Sequence, residues 1–142
     1  MFSYVFPVPA PVLAPHFPAA PVHFLQIWIE PARKGVAPSY EQRRFPLPET
    51  RGRLRVVASP DGRDGSLRIH QNALLYLGRF EPGESVSHAL HTRRTTYLQV
   101  ARGDVTVNGE MLRAGDGARL CDEHDIELVA QTPAEILLFD LP

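Results

Sequence analysis

The chain has 142 residues, of which 44% are hydrophobic, and its 15 basic and 16 acidic side chains give a formal net charge of −1. This length is typical of one domain, which buries roughly two thirds of the surface that its unfolded chain exposes. The ordinary apolar content and near-neutral charge exclude an intrinsically disordered chain and a broad nucleic-acid footprint. Cys121 is the only cysteine, so no disulfide can form within the chain.

Residues 1–22 form a proline-rich segment that precedes the first charged residue, Glu30. Six prolines lie between positions 7 and 21, and each would remove a helix hydrogen bond and clash with the preceding turn. A membrane-spanning helix is therefore excluded here, and the lack of a basic stretch ahead of the apolar run argues against a signal peptide. We expect an extended, polyproline-like arm over residues 1–22, a domain over residues 23–142, no membrane partner and a cytoplasmic location.

From residue 23 onward the sequence alternates short apolar or β-branched runs with turn residues. No window shows a sustained helical period of about 3.6 residues. The pair Asn108-Gly109 predicts a type I′ hairpin turn, because both residues accept positive φ angles. Short, regularly spaced strands with glycine turns are typical of an all-β sandwich or barrel. Strands are predicted over residues 23–30, 54–58, 67–71, 74–81, 85–91, 95–102, 104–107, 110–113, 117–120, 126–130 and 135–140.

The stretch from residue 83 to residue 118 resembles the two sequence motifs of the cupin family. Gly83, Gly103 and Gly115 fall where cupin glycines turn the chain between strands. The resemblance places the four metal-ligand positions of the family at Ala89, His91, Thr96 and Ala118. A mononuclear site needs three or four converging ligands, so we expect no metal and no other cofactor, with His91 as the one remaining candidate ligand.

Strand alternation assigns these positions to one face of the predicted barrel. If residues 89 and 91 point inward, then His88 points outward, because side chains alternate along a strand. By the same rule Thr96, Leu98 and Val100 share the inward face. His91 is interpreted either as a hydrogen-bonded core histidine or as a residue of a small pocket. The residues expected to line that residual pocket are Ala89, His91, Thr96, Leu98 and Ala118.

Other runs resemble a narrower group within the cupins. Four segments are similar to bacterial members of the pirin family. They are Leu25-Gln-Ile-Trp-Ile29, Pro38-Ser-Tyr-Glu-Gln42, His70-Gln71 and the closing Leu137-Leu-Phe-Asp-Leu-Pro142. The resemblance implies a cupin-type double-stranded β-helix, or jelly-roll barrel, that corresponds to the C-terminal domain of a two-domain cupin. Some pirins are quercetin 2,3-dioxygenases, and a eukaryotic member is a nuclear transcriptional co-regulator.

The same resemblance implies where a metal would lie. Pirins carry their metal in an N-terminal cupin, whose ligands lie upstream of the strand that begins here at His23. Only the proline-rich arm stands in that place. We therefore expect a pirin-like cupin that lacks the metal-binding N-terminal domain.

Patterns for covalent chemistry are absent from the sequence. No serine lies in a nucleophile-elbow context, and no glycine-rich loop of the phosphate-binding type occurs. We therefore favour a non-catalytic binding or protein-interaction module over an enzyme. The alternative is a quercetin 2,3-dioxygenase-like oxygenase whose metal site comes from another chain. A third interpretation is a truncated remnant with structural value only.

Self-association is the partner prediction that the sequence supports. The strand over residues 24–29 is apolar on both faces, and an uncharged arm beside it cannot fold alone. We expect a homodimer that forms through the N-terminal arm and this first strand. The sequence identifies no small-molecule or protein ligand, and no nucleic-acid partner is expected.

Overall fold

The structure is a computed structural model that describes residues 21–91, 93–121 and 123–142, together with the backbone of residues 3–5. The predicted arm over residues 1–22 therefore lies largely outside the described residues. Within the described part of the chain, no helix is long and apolar enough to cross a membrane.

Twelve strands make up most of the regular structure in the described residues. The exceptions are a short helix, α1 (Leu47–Thr50), and a 3₁₀ turn at Arg63–Gly65. The all-β prediction is confirmed, and most strand boundaries agree with the predicted ones within two residues. The strands are β1 (Ser3–Val5), β2 (Gln26–Trp28), β3 (Leu54–Ser59), β4 (Leu67–Arg68), β5 (Leu74–Phe80), β6 (Ser85–Ala89), β7 (Thr95–Arg102), β8 (Asp104–Val107), β9 (Glu110–Arg113), β10 (Gly117–Leu120), β11 (Asp125–Ala130) and β12 (Ala134–Leu141).

Two sheets enclose the larger apolar core. The six-stranded sheet has the order β10-β7-β12-β5-β3-β4, and the four-stranded sheet has the order β6-β11-β8-β9. The pairings within these sheets are antiparallel except for that of β3 with β4. Since β12 lies between β5 and β7, the large sheet is built from strands distant in sequence, as in a jelly roll and unlike a simple meander.

Fully buried aliphatic side chains fill the space between the sheets. Leu138 of β12 lies opposite Leu98 of β7 on one side and Tyr76 of β5 on the other. Val100 and Ile136 are completely buried in the same layer. Burying a leucine or valine in this way stabilises the fold by roughly 1.5–3 kcal/mol. The four-stranded sheet closes the interior with its own buried residues, Val105, Val107, Ile126 and Leu128.

A second apolar cluster covers the outer face of the large sheet. Leu77 of β5 and Leu137 of β12 belong to it, and Phe45, which precedes α1, packs with them. The partly buried side chains of Leu25 and Ile27 pack against the same cluster. A sheet that is apolar on both faces needs a covering layer, and the segment around β2 and α1 supplies part of it.

The hairpin between β8 and β9 has the predicted turn. Asn108 and Gly109 adopt φ angles of 47° and 88°, as a type I′ turn requires. The carbonyl oxygen of the Asn108 side chain also accepts a 2.8 Å hydrogen bond from the backbone amide of Glu127. The turn residue therefore helps to hold the hairpin against β11.

Leu98→Ala tests the packing of the interior. Leu98 is 1% exposed, so this truncation leaves a cavity and should lower the free energy of unfolding by about 2–4 kcal/mol. Denaturant titration measures the loss, and Met111→Ala is the control because Met111 is 55% exposed. A loss no larger than that of the control would place this face of β7 outside the core.

Candidate functional site

β6 enters the interior with the opposite register to the predicted one. Val86 and Leu90 pack against the interior core, and His88 between them is partly buried. Ala89 and His91 are exposed, so their predicted inward orientation is wrong. The predicted register of β6 is shifted by one residue. The reason is the burial of Val86 and Leu90, which by strand alternation turns Ala89 to the other face.

β7 keeps the predicted register. Thr96, Leu98 and Val100 are buried on one face of the strand. Ala118 of β10 lies opposite Leu98 and is partly buried. Residues 89 and 91 therefore do not line the interior together with residues 96, 98 and 118.

The four cupin ligand positions do not fit a metal ion. Ala89 and Ala118 have no donor atom, and Thr96 offers only a hydroxyl. The fourth position, His91, is the one imidazole among them. Among the described residues, no group of three or more His, Cys, Asp or Glu side chains is placed to hold a metal ion. These positions lack the donor set that the metal would need.

Polar side chains gather instead at one end of the interior, around Asp140. Its side chain is only 6% exposed, and Arg94 donates from Nε to Oδ1 over 2.6 Å. Arg94 also donates to the backbone carbonyls of Asp140 and Asn72, which fixes the guanidinium. Nδ1 of His91 lies 3.3 Å from the second carboxylate oxygen. We call these residues the Asp140 cluster: Tyr76, His88, His91, Arg94 and Asp140.

Tyr76 and His88 form the inner part of the Asp140 cluster. Their rings meet edge to face, with centroids 4.9 Å apart. Burial lowers the pKa of His88 below its usual value of 6.5, while the Asp140 charge opposes this effect and His91 adds to it. Burial also raises the pKa of Tyr76, and the Asp140 carboxylate reinforces that rise. Both rings are therefore mainly uncharged at neutral pH.

The carboxylate of Asp140 is already paired within the cluster. Arg94 already occupies the carboxylate of Asp140, so this acid is not a free general base. No buried side-chain nitrogen or oxygen in the described residues lacks a hydrogen-bond partner. The arrangement ties the end of β12 to the turn before β7.

Sequence reasoning did not single out Tyr76, Arg94 or Asp140. The available signal was the alternation along β12, which places Asp140 on the same buried face as Leu138. A buried carboxylate needs a cationic partner. That partner, Arg94, lies 46 residues away in sequence, so no local motif joins the two.

Comparison with known proteins identifies this chain as a cupin domain. The family described as "Quercetinase C-terminal cupin domain" matches residues 56–141, more than half of the chain. The crystal structure of bacterial pirin YhhW from Escherichia coli in complex with nickel(II) is similar, with a TM-score of 0.78 at 42% identity over 85% of this chain and 51% of that one. The expected jelly-roll barrel is thereby confirmed.

Curated relatives identify the family of cupins to which the chain belongs. Quercetin 2,3-dioxygenase from Escherichia coli (strain K12) is 41% identical over 121 residues, which is 85% of this chain and 51% of that protein. A pirin-like protein from Caulobacter vibrioides is 39% identical over 116 residues, or 81% and 50% of the two chains. The chain belongs to the pirin family and contains its C-terminal cupin domain. It spans about half the length of the curated relatives that it matches.

The lowered pKa of His88 predicts a pH-dependent stability. Since the folded pKa lies below the unfolded value of about 6.5, the unfolded chain takes up the proton first as the pH falls. The free energy of unfolding should therefore decrease as the pH drops through about 6.5. At higher pH His88 is neutral in both the folded and the unfolded chain, so it causes no pH dependence there. His88→Phe should remove this contribution, as urea unfolding midpoints between about pH 5 and 8 would measure.

His124→Gln is the control for that measurement, because His124 is exposed. The control should keep the wild-type dependence of the midpoint on pH, apart from a uniform offset. If His88→Phe shows the same dependence as the control, burial of His88 does not perturb its titration.

Proposed function

We propose that this pirin-family cupin domain is a non-catalytic binding or protein-interaction module. The observation that carries the proposal is the aliphatic filling of the barrel interior beside the cupin ligand positions. Leu98 and Val100 are fully buried there, and Ala118 opposite Leu98 has no donor atom. A domain built in this way acts through its outer surfaces.

The polar groups of the interior support the same proposal. Catalytic centres commonly contain polar side chains whose hydrogen-bonding groups are satisfied only when a substrate or an ion binds. Here Arg94 already satisfies Asp140, the buried acid of the interior. Tyr76 and His88 pack edge to face on each other.

Metal analysis and a turnover assay test this proposal together. We expect the purified 142-residue chain to hold no stoichiometric iron, copper, nickel or manganese, and not to oxidise quercetin before or after incubation with each ion. Quercetin 2,3-dioxygenase from Escherichia coli, measured in parallel, serves as the positive control. Quercetin turnover that chelators abolish, or roughly one bound ion per chain that His91→Ala removes, would overturn the proposal.

A second function is favoured by the names of the relatives. The matched proteins of two Escherichia coli strains are called quercetin 2,3-dioxygenase, and each shares about half its length with this chain. In this case the domain would take part in quercetin oxidation with a metal site supplied by another chain. Activity that appears only after a metal-loaded pirin N-terminal cupin is added would favour this function over the first.

We also propose that the domain forms a homodimer through the surface around β2. β2 pairs with β1 in a two-stranded sheet. In and beside this pair, Trp28 and Val22 remain more than half exposed. Apolar side chains of this size are unfavourable in water, and association with an identical face would bury both sets at once.

Trp28→Arg tests the homodimer. Light scattering of the parent chain should report a mass near twice 15.8 kDa. The arginine would place an unpaired charge in the apolar face, so the variant should be largely monomeric. Tyr40→Arg is the matched control, because Tyr40 is 86% exposed and lies between β2 and α1. A parent chain that stays monomeric at high concentration would contradict self-association.

A further inference from the structure

A groove on the outer face of the large sheet has the dimensions of a small-molecule site. Its volume is about 380 Å³, within the roughly 300–1,000 Å³ that is typical of ligand pockets. The buried side chains of Leu77 and Leu137 form its floor, and the exposed side chains of Phe24 and Leu47 stand at its sides. We call this cavity the outer groove. It shares no lining residue with the Asp140 cluster.

Arg79 brings no net charge to the outer groove. Its Nε donates to Glu135 over 2.8 Å, and Nη1 donates to Thr50 Oγ1 over 3.0 Å. Both partners of this ion pair are mostly buried, so each fixes the other. The remaining charged side chains at the groove are those of Arg43 and Arg44.

Arg43 and Arg44 form no ion pair with an acidic side chain in the part of the chain that the structure describes. The Arg43 guanidinium lies 6.0 Å from the ring centroid of Phe45, which itself lines the groove. This contact holds a cation next to an apolar floor. The groove therefore combines an apolar body with an unpaired positive rim.

We propose that the outer groove binds an apolar carboxylate, such as a medium-chain fatty acid. The hydrocarbon body would lie on Leu77 and Leu137, and the carboxylate would accept hydrogen bonds from Arg43 and Arg44. Such charge-assisted bonds are stronger than neutral ones, and arginine is suited to planar anions. A neutral ligand would leave the guanidinium charges uncompensated, and the same charges repel a cation.

The inference names a ligand class for the binding module proposed above and rests on that proposal. The two fail separately, however. Metal content and quercetin turnover report on the barrel interior, whereas the outer groove lies on the opposite side of the large sheet. A chain that binds no carboxylate and no metal would retain the proposed non-catalytic role and lose only this ligand.

Decanoate and decanol are the probes, because they share one hydrocarbon chain and differ in charge. In nuclear magnetic resonance titrations of the isotope-labelled 142-residue chain, decanoate should shift the amides of Leu77 and Leu137 saturably. Decanol should bind at least about tenfold more weakly. Added salt should weaken decanoate binding and leave decanol binding unchanged, because Arg43 and Arg44 are exposed to solvent.

The double variant Arg43→Gln with Arg44→Gln should weaken decanoate binding by about tenfold and leave decanol binding unchanged. Arg113→Gln is the matched control, an exposed arginine in β9 outside the groove. Leu47→Asn, which removes an apolar contact without adding charge, should weaken both probes and so separates the apolar from the charged contribution. Unfolding midpoints confirm that each variant folds.

Three results would overturn the proposal. The first is a decanoate titration without saturable shifts at the groove floor. The second is equal affinity for decanoate and decanol. The third is unchanged decanoate affinity in the folded double variant.

Discussion

Burial of β12 on both faces and pairing on both edges is the constraint on which the rest of the domain depends. Ile136 and Leu138 belong to the interior cluster, whereas Leu137 and Phe139 belong to the outer one. β5 and β7 pair with this strand along most of its length. Because one strand supplies both apolar clusters, any change that displaces it exposes the two clusters at the same time.

The two polar features of the domain are attached to the same strand. Asp140 faces the interior and binds Arg94, while Glu135 binds Arg79 at the edge of the outer groove. Ion pairs that are largely buried add little net stability, since desolvation offsets the attraction. Their effect here is on position and local charge. The pair of Asp140 with Arg94 fixes the turn before β7. The pair of Glu135 with Arg79 is neutral, so the net positive charge at the outer groove comes from Arg43 and Arg44.

Most strands could be predicted from the sequence because alternation and turn residues are local signals, as Asn108-Gly109 shows. The helix α1 could not, because its Pro48 resembles a connector residue, although proline is tolerated in a first helical turn. The register of β6 follows the apolar alternation of Val86 and Leu90, and the cupin motif position of His91 does not predict it. The Asp140 cluster and the outer groove join segments far apart in sequence, so only the folded chain reveals them.

The insertion of β12 between β5 and β7 also sets how the domain must fold. Tyr76 and Leu98 lie on either side of Leu138, which comes far later in the chain. Such non-local pairing loses much chain entropy before it gains contacts, and proteins of this kind fold in about milliseconds to seconds. Until β12 docks, β5 and β7 present bare edges to solvent, and this interval is when the chain is most exposed to aggregation.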